Sequence, residues 1–399
     1  MMAWGILSPD VVVSPRRLRD LGLGAAVRHF NDRAVPGIGS MWFPMPLLWS
    51  LLAVSIAAEV GRPALPIGNA IEALMMARAH GRAVDPRLRG GQKLAGVTDL
   101  SFANLSRRGV YVVQPTRIGI VEPLARLGFV AGRRFGSFEV TPTGQRLLDL
   151  PDVAAGRQAL LGWVRGAQIT RQGKRLDALS PFAEVPPSAR RLIRARLLDL
   201  PDGDGQRRRR LAALTGGPSA RQLDAPTPLP GIEAGHWTDL RAGVSVIDLR
   251  AGAVAVLDAI EQELLRRRDA RTPVTLARED AVEVAGVPLE ALRRLAGAHA
   301  PRIHAAGEPD GLGFVGSLVG AAPADIVTSL ARRDGKVVRW DPSSGLTLGP
   351  AAGGATAAPD ADTASDARFA PQLPRLYNLH CLVAELDGKP NPRIAEVAA

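Results

Sequence analysis

Six histidines and one cysteine are the side chains of this sequence best suited to metal or nucleophilic chemistry, and their spacing supports neither. His299 and His304 are five residues apart with Pro301 between them, whereas two ligands on one helix face need a separation of four. There is no His-Glu-x-x-His. His380 and Cys381 are adjacent and would need further ligands that the sequence does not mark. A lone cysteine rules out an intrachain disulfide framework and a multi-cysteine zinc site, and it fits a reducing compartment. No Gly-x-x-x-x-Gly-Lys-Ser/Thr loop is present to cradle phosphates, and neither Gly311-Leu312-Gly313 nor Gly353-Gly354-Ala355 follows a strand and opens a helix. The sequence therefore nominates no catalytic residue, no metal ligand and no cofactor.

What it does supply is guanidinium. The 399 residues carry a formal charge of +11, with only four lysines, Lys93, Lys174, Lys336 and Lys389. Arg107 to Arg210 contains 20 Lys and Arg against 9 Asp and Glu, an excess equal to the charge of the whole chain. A uniform compositional bias would spread that excess; a local one is the usual footprint of polyanion binding. The candidates are Arg107 and Arg108, Thr116 and Arg117, Arg133 and Arg134, and a helix beginning at Ser188 on which Arg190, Arg191 and Arg194 share one face. Beyond them lies the run Arg207 to Arg210, after a flexible Asp202 to Gly205. Phosphate contacts of this kind position a nucleic acid without reading its sequence.

The elements that would position these arginines are clearest over Gln114 to Leu150. A helix closes at Leu127, with Gly128 placed to stop it. Phe129-Val130 opens a short strand, Gly132 to Gly136 is a glycine-bracketed basic loop, and Phe138 to Thr141 returns as a second strand. Thr143 is placed to cap a last helix from Gln145 to Leu150. This order resembles the second half of a winged helix-turn-helix domain, with Arg133 and Arg134 at the tip of the wing. The resemblance covers about a tenth of the chain. It implies DNA contact by the wing, with Thr116 and Arg117 facing the groove. The helix it would put in the groove contains Gly119 and Pro123, and proline inside a helix costs about 3 kcal/mol. Either that helix is kinked, or it begins near Glu122 and is too short to read bases. A second resemblance, of Glu385 to Lys389 (ELDGK) to the carboxylate-and-lysine arrangement of metal-dependent nucleases, lacks an upstream aspartate, and Asp-Gly reads more simply as a turn.

A chain of this length predicts several domains, and the fold class expected is mainly α with small β elements (α+β). The divisions suggested are a helical domain over 1–90, a winged-helix module over 91–152, a basic helical segment over 153–214, a linker over 215–230, an α+β domain over 231–348, a low-complexity linker over 349–370, and a docking segment over 371–399. In the first of these, Ser14-Pro15 would start a helix running to Phe30, Leu47 to Val60 would be a buried helix, and Asn69 would cap Ala70 to His80. A helix from Thr98 or Asp99 and an extended Tyr111 to Val113 would follow. Further on, Val244 to Leu249 alternates like a strand, Ala253 to Arg268 and Leu289 to Ala298 read as helices, and Lys336 to Trp340 as a strand. Leu47 to Val60 is shorter than the roughly 20 residues of a membrane span, and the first residues lack a basic segment leading an apolar run, so a cytoplasmic protein is expected. The functional expectation is non-enzymatic binding of DNA, duplex rather than single-stranded, within a bacterial DNA-processing, genome-defence or regulatory assembly with protein partner subunits. A protein–protein docking subunit is the first alternative and a metal-dependent nuclease the second.

Overall fold

The computed structural model describes residues 19, 21–81, 85–214, 220–268, 274–353 and 374–398. Ser14-Pro15, most of the 349–370 linker and residues 215–219 lie outside the described residues. The rest is mainly helical, with a few short antiparallel strands. Two compact units form, each discontinuous in sequence: one from described residues 19–33 and 233–353, the other from 34–232 and 374–398. The breaks suggested at 90 and 152 fall inside the second unit, and residues before 34 belong with the first. Helix α1 (Gly24–Ala34) is the chain's first described helix. It starts after Leu21 and Gly22, both with positive φ, so the helix expected up to Phe30 is interrupted at 21–22; its start at Ser14-Pro15 lies outside the described residues.

The second unit is built on α2 (Met45–Val60) and α3 (Ala64–Ala79), each with 13 of its 16 residues buried. α2 is the apolar helix expected, with Pro46 in its first turn and Gly61 closing it in the left-handed region at φ 62°. α3 begins six residues earlier than expected. Pro66 fits its first turn, where no amide hydrogen is needed, which leaves Asn69 in the helix interior. Short helices α4 (Gly91–Leu94) and α5 (Phe102–Leu105) follow; Ser101 caps the latter by accepting from the Asn104 amide. Residues 111–113 form no strand. Thr116–Ile120 is a 3-10 turn leading into α6 (Val121–Arg126), so the later helix start is the one adopted, with Pro123 in the first turn.

Strands β1 (Val130–Ala131) and β2 (Glu139–Val140) pair antiparallel, Val130 opposite Val140 and Ala131 opposite Glu139. α7 (Pro142–Leu148) is capped by Thr141, not Thr143, whose hydroxyl oxygen accepts from the Gly144 amide. Helices α8 (Pro151–Val164), α9 (Pro187–Leu198), α10 (Gly203–Ala213) and α11 (Ala220–Asp224) complete this stretch. The acidic Asp202 to Gly205 is a cap: the Asp202 carboxylate accepts from the Gly205 amide at 2.6 Å.

The first unit is organised by the 33-residue α12 (Ala234–Arg266), packed on α14 (Gly286–Ala306). Val244 to Leu249, expected as a strand, lies inside α12. Its alternation misleads because Val244, Ser245, Val246 and Leu249 are all buried, and α12 runs on through Gly243 and Gly252 on either side of it. β3 (Thr275–Leu276), α13 (Arg278–Val284), α15 (Pro309–Gly316), α16 (Pro323–Asp334), β4 (Val338–Asp341) and β5 (Gly345–Leu348) complete it, in a sheet of order β3-β5-β4 with both pairs antiparallel. The apolar core runs from Leu21 and Leu23 through Val256, Leu257, Leu292, Phe314 and Leu330 to Leu346.

α17 (Pro374–Leu386) and α18 (Pro392–Ala398) return to the second unit, where α17 packs on α9 and α10. Leu376, Tyr377, Leu379, Cys381 and Leu382 are buried there. The C-terminal segment docks on this chain's own helices. Among the described residues no helix is long and apolar enough to cross a membrane.

Candidate nucleic-acid interface

One face of α3 carries Gly68, Asn69 and Glu72 within a single turn, and it organises the region where the basic loops arise. Glu72 is a buried carboxylate in an otherwise apolar helix. Its Oε1 accepts from the Tyr111 hydroxyl at 3.0 Å and from the Thr116 amide at 2.7 Å, and its Oε2 from the Arg117 amide at 3.0 Å. The Arg117 Nε donates to Asn69 Oδ1 at 3.1 Å, and the guanidinium lies 4.7 Å from the centre of the Phe135 ring. Gly68 makes this possible, because a Cβ there would meet Arg117 Cδ and the Phe135 ring. Burial pushes the Tyr111 phenol well above its ordinary pKa, and the charge of Glu72 and its hydrogen bond add to the rise. Burial also lowers the pKa of Arg117, which Glu72 partly offsets.

This anchor corrects part of the expected contact surface. Thr116 and Arg117 are buried, 9% and 7% exposed, and face Glu72 and Phe135 instead of a groove. The neighbouring helix is covered as well. The Ser40 amide donates to the Gly119 carbonyl at 3.3 Å, and a Cβ on Gly119 would collide with the Ser40 hydroxyl. In α6 only Arg126 is exposed, and it pairs with Asp204 at 3.5 Å. Pro123 and Leu124 of the same helix are buried.

The β1–β2 hairpin carries the expected charge on its connecting loop. Gly132 turns the chain at φ 118°, where a Cβ would collide with the Ser137 carbonyl. Arg133 and Arg134 are exposed and Phe135 tucks inward, edge-on to Phe138 at 5.9 Å. Arg107 and Arg108 are exposed on a second loop, braced by Lys93 Nζ on the Gly109 and Tyr111 carbonyls. Among the described residues, none of these four guanidinium groups has a hydrogen bond or ion pair. Tyr111 is three positions on from Arg108, about 10 Å of extended chain, and Arg134 adjoins Phe135. Both basic loops are therefore rooted in the same Glu72 cluster.

The arginines of α9 divide differently. Arg191 is exposed and has no such partner among the described residues. Arg194 Nε pairs with Asp387 Oδ1 at 2.6 Å, and Arg190 lies against Gly388 and 4.0 Å from Glu184. Arg190 and Arg194 thus lie against the returning C-terminal segment, Arg190 20% and Arg194 41% exposed. The four-arginine run is likewise partly structural. Arg208 is fully buried and donates to the Leu197 carbonyl at 2.6 Å and the Pro36 carbonyl at 2.8 Å, and Arg209 donates to Leu198 at 2.8 Å. The Leu197 and Leu198 carbonyls are orphan acceptors at the end of α9, where a cation also suits the helix dipole.

The other unit brings Ser245, Asp248 and His299 together on α12 and α14. Ser245 Oγ lies 3.0 Å from His299 Nδ1, and His299 Nε2 is 3.7 Å from Asp248 Oδ2. A nucleophilic serine gives its proton to the imidazole. Here the hydroxyl donates to the Arg241 carbonyl at 2.9 Å, and Ser245 is 0% exposed. The arrangement joins the packed faces of α12 and α14. In the ELDGK segment, Asp387 is held by Arg194, while Glu385 Oε2 accepts from Asn391 Nδ2 at 3.0 Å. No group of three or more His, Cys, Asp or Glu placed to hold a metal occurs among the described residues.

Compared with protein-family models, with curated proteins and with solved structures, the chain matches none. The functional reading rests on its own geometry.

Proposed function

We propose that this chain binds the backbone of duplex DNA through two basic loops, Arg107-Arg108 and the wing-like hairpin tip Arg133-Arg134, with Arg191 as a further phosphate contact. The observation that supports this most is four exposed guanidinium groups, without a partner among the described residues and rooted in one buried anchor. Unpaired arginines held on a rigid base lose little freedom on meeting phosphate, and their planar forks match its oxygens. With α6 covered, the contact positions without specifying sequence. That suits a subunit of a DNA-processing, genome-defence or regulatory assembly in which other components choose the target.

Fluorescence anisotropy on a labelled duplex tests this. Affinity should fall with salt and change little when the duplex sequence is scrambled. Arg133→Ala/Arg134→Ala should flatten the log–log salt slope by about 2 and weaken binding roughly tenfold to a hundredfold near 0.1 M salt. Absence of binding at about 50 mM salt would sink the proposal.

A second reading, docking of a protein partner, is favoured by Val113 and Ile118. They are 74% and 53% exposed, two of the few large apolar side chains in the open, and both flank the turn held by Glu72. Apolar side chains within a charged rim are the usual make-up of a contact patch. If docking is the role, Val113→Ser/Ile118→Ser should abolish co-purification of the partner and leave salt-dependent DNA binding unchanged. Loss of both together would assign the two apolar residues to the nucleic-acid contact instead.

A further inference from the structure

The second unit contains a cleft that the nucleic-acid reading does not use. Its volume is about 240 Å³, and three segments distant in sequence line it: the loop at Arg87, residues 182–190, and the turn between α17 and α18. Arg87 is held by both oxygens of Asp85, at 2.9 and 2.6 Å, and stacks 5.3 Å from the centre of the Phe182 ring, so its charge is already matched. Arg190 is not matched in this way. Its only carboxylate partner among the described residues, Glu184, is 4.0 Å away and 89% exposed, whereas Arg190 itself is 20% exposed. The Lys389 ammonium has no partner among the described residues. Gly388, at φ 75°, lets the turn lie against the Arg190 guanidinium, since a Cβ there would be 3.1 Å from Nη1. The turn thereby brings Lys389 and Arg190 into one cleft with a carboxyl group, Glu385, whose Oε2 accepts from Asn391.

We propose that this cleft binds a small oxyanion-bearing ligand, a phosphate or carboxylate compound, gripped by Arg190 and Lys389 with Glu385 as the neighbouring polar contact. Two loosely matched cations in a concave site with an apolar floor of Phe182, Val185 and Ile394 are what such a ligand needs. The size bounds it. At about 30 Å³ per water the cleft holds roughly eight waters, enough for a small metabolite and too little for a length of nucleic acid. Burial raises the pKa of Glu385 above the ordinary carboxylate value, against the opposing hydrogen bond from Asn391 and the charges of Arg87 and Arg190. Its neutral form can donate to an oxyanion, and its ionised form repels one. Arg87, Asp85 and Arg190 act on it directly, and Glu184 and Lys389 line the same cleft; ligand affinity should rise as Glu385 takes up its proton.

Thermal unfolding of the full chain, with ionic strength held constant by sodium chloride, tests this with sulfate and acetate as probes. Sulfate at about ten times its dissociation constant should raise the midpoint of the second unit's transition by roughly 3–5 °C and leave that of the first unit in place. A shift with acetate but not sulfate would assign a carboxylate ligand, and the reverse a phosphate-like one. Lys389→Ala, on an exposed turn where misfolding is not a concern, should cut the shift at least in half, and Arg190→Ala should remove it. Sulfate keeps its charge between pH 5 and 8, so its affinity should increase from pH 8 to pH 5 in the parent chain and stay flat in Glu385→Gln. Arg133→Ala/Arg134→Ala should leave every one of these shifts intact, which separates this site from the DNA-binding loops. An equal shift in parent and Lys389→Ala, or none with either probe at about 20 mM, overturns the proposal.

Discussion

Replacing Glu72 with alanine is expected to destabilise the second unit by about 3–5 kcal/mol, with little effect on the first. The change removes one carboxylate and strands three donors: the Tyr111 hydroxyl and the Thr116 and Arg117 amides. Each buried donor left unmade costs about 1–3 kcal/mol, and hydrogen bonds to a charged acceptor lie at the upper end. Glu72→Gln keeps the shape and one acceptor oxygen, so it should cost roughly half as much. A chain of two units does not unfold in one step, so a single midpoint would mix them. Peptide-resolved hydrogen exchange avoids this. In Glu72→Ala, protection over α3 and 111–120 should fall by about two to three orders of magnitude, since 1.4 kcal/mol is tenfold, while peptides from α12 stay protected. Equal loss in both units, or in neither, would contradict the anchoring role. The DNA reading gains a second consequence. Both basic loops are rooted in this cluster, so Glu72→Ala should weaken duplex binding well below its unfolding temperature, although it touches no phosphate.

Tyr111 gives a spectroscopic check on the same anchor. A raised phenol pKa means that the folded state favours the neutral ring. The corresponding stability is present below the ordinary tyrosine value near 10 and is lost as pH rises through the higher folded value. In Glu72→Gln the part due to the carboxylate charge disappears and the larger part due to burial remains, so ionisation in the folded chain should move down only partway.

The sequence revealed the features written in local chemistry. Gly128 and Gly132 mark where the chain turns around the hairpin, the apolar run from Leu47 predicted α2, and the helix, strand, basic loop, strand and helix around Arg133 appear in that order. It concealed those that depend on partners far along the chain. Glu72 reads as a polar residue on a core helix, and its three donors lie 39 to 45 residues away. A lone acid within Ile71, Leu74 and Met75 was the available signal, because a charge survives on such a face only when several donors meet it. Arg190 and Arg194 shared a face on the helical wheel as expected, but the wheel could not show that α17 returns to cover it. Val244 to Leu249 failed for a related reason. A period of two and a helix buried all round give similar patterns over six residues, and length arbitrates only when the whole of α12 is in view.

Replacing Arg19 with alanine should have a comparably large effect on the first unit. Arg19 has a side chain 4% exposed, and it meets three carboxylates: Asp258, Glu261 at 2.9 Å and Asp334 at 3.3 Å. Two of them are themselves buried, Glu261 at 2% and Asp334 at 0% side-chain exposure. Each also organises backbone: Glu261 accepts from the Gly353 amide at 3.0 Å and Asp334 from the Val338 amide at 2.9 Å, at the start of β4. The segment carrying Arg19 is held from both sides. Arg250 donates to the Arg19 carbonyl at 2.7 Å, and Arg333 to that of Leu21, a buried residue in the left-handed region at φ 53°. Removing one partner of a buried ion pair costs about 3–5 kcal/mol, chiefly because charge is left behind in a low-dielectric interior. The same reasoning predicts the rescue. Adding Glu261→Gln and Asp334→Asn to Arg19→Ala removes the stranded charge and should recover at least half of the loss, whereas Arg19→Lys, with one ammonium in place of a fork, should recover less. Hydrogen exchange over α12 and β4 in the four chains decides between the two accounts. If the triple variant is less protected than Arg19→Ala alone, the carboxylates contribute through their own hydrogen bonds and not through their charge, and Arg19 is only a packing residue.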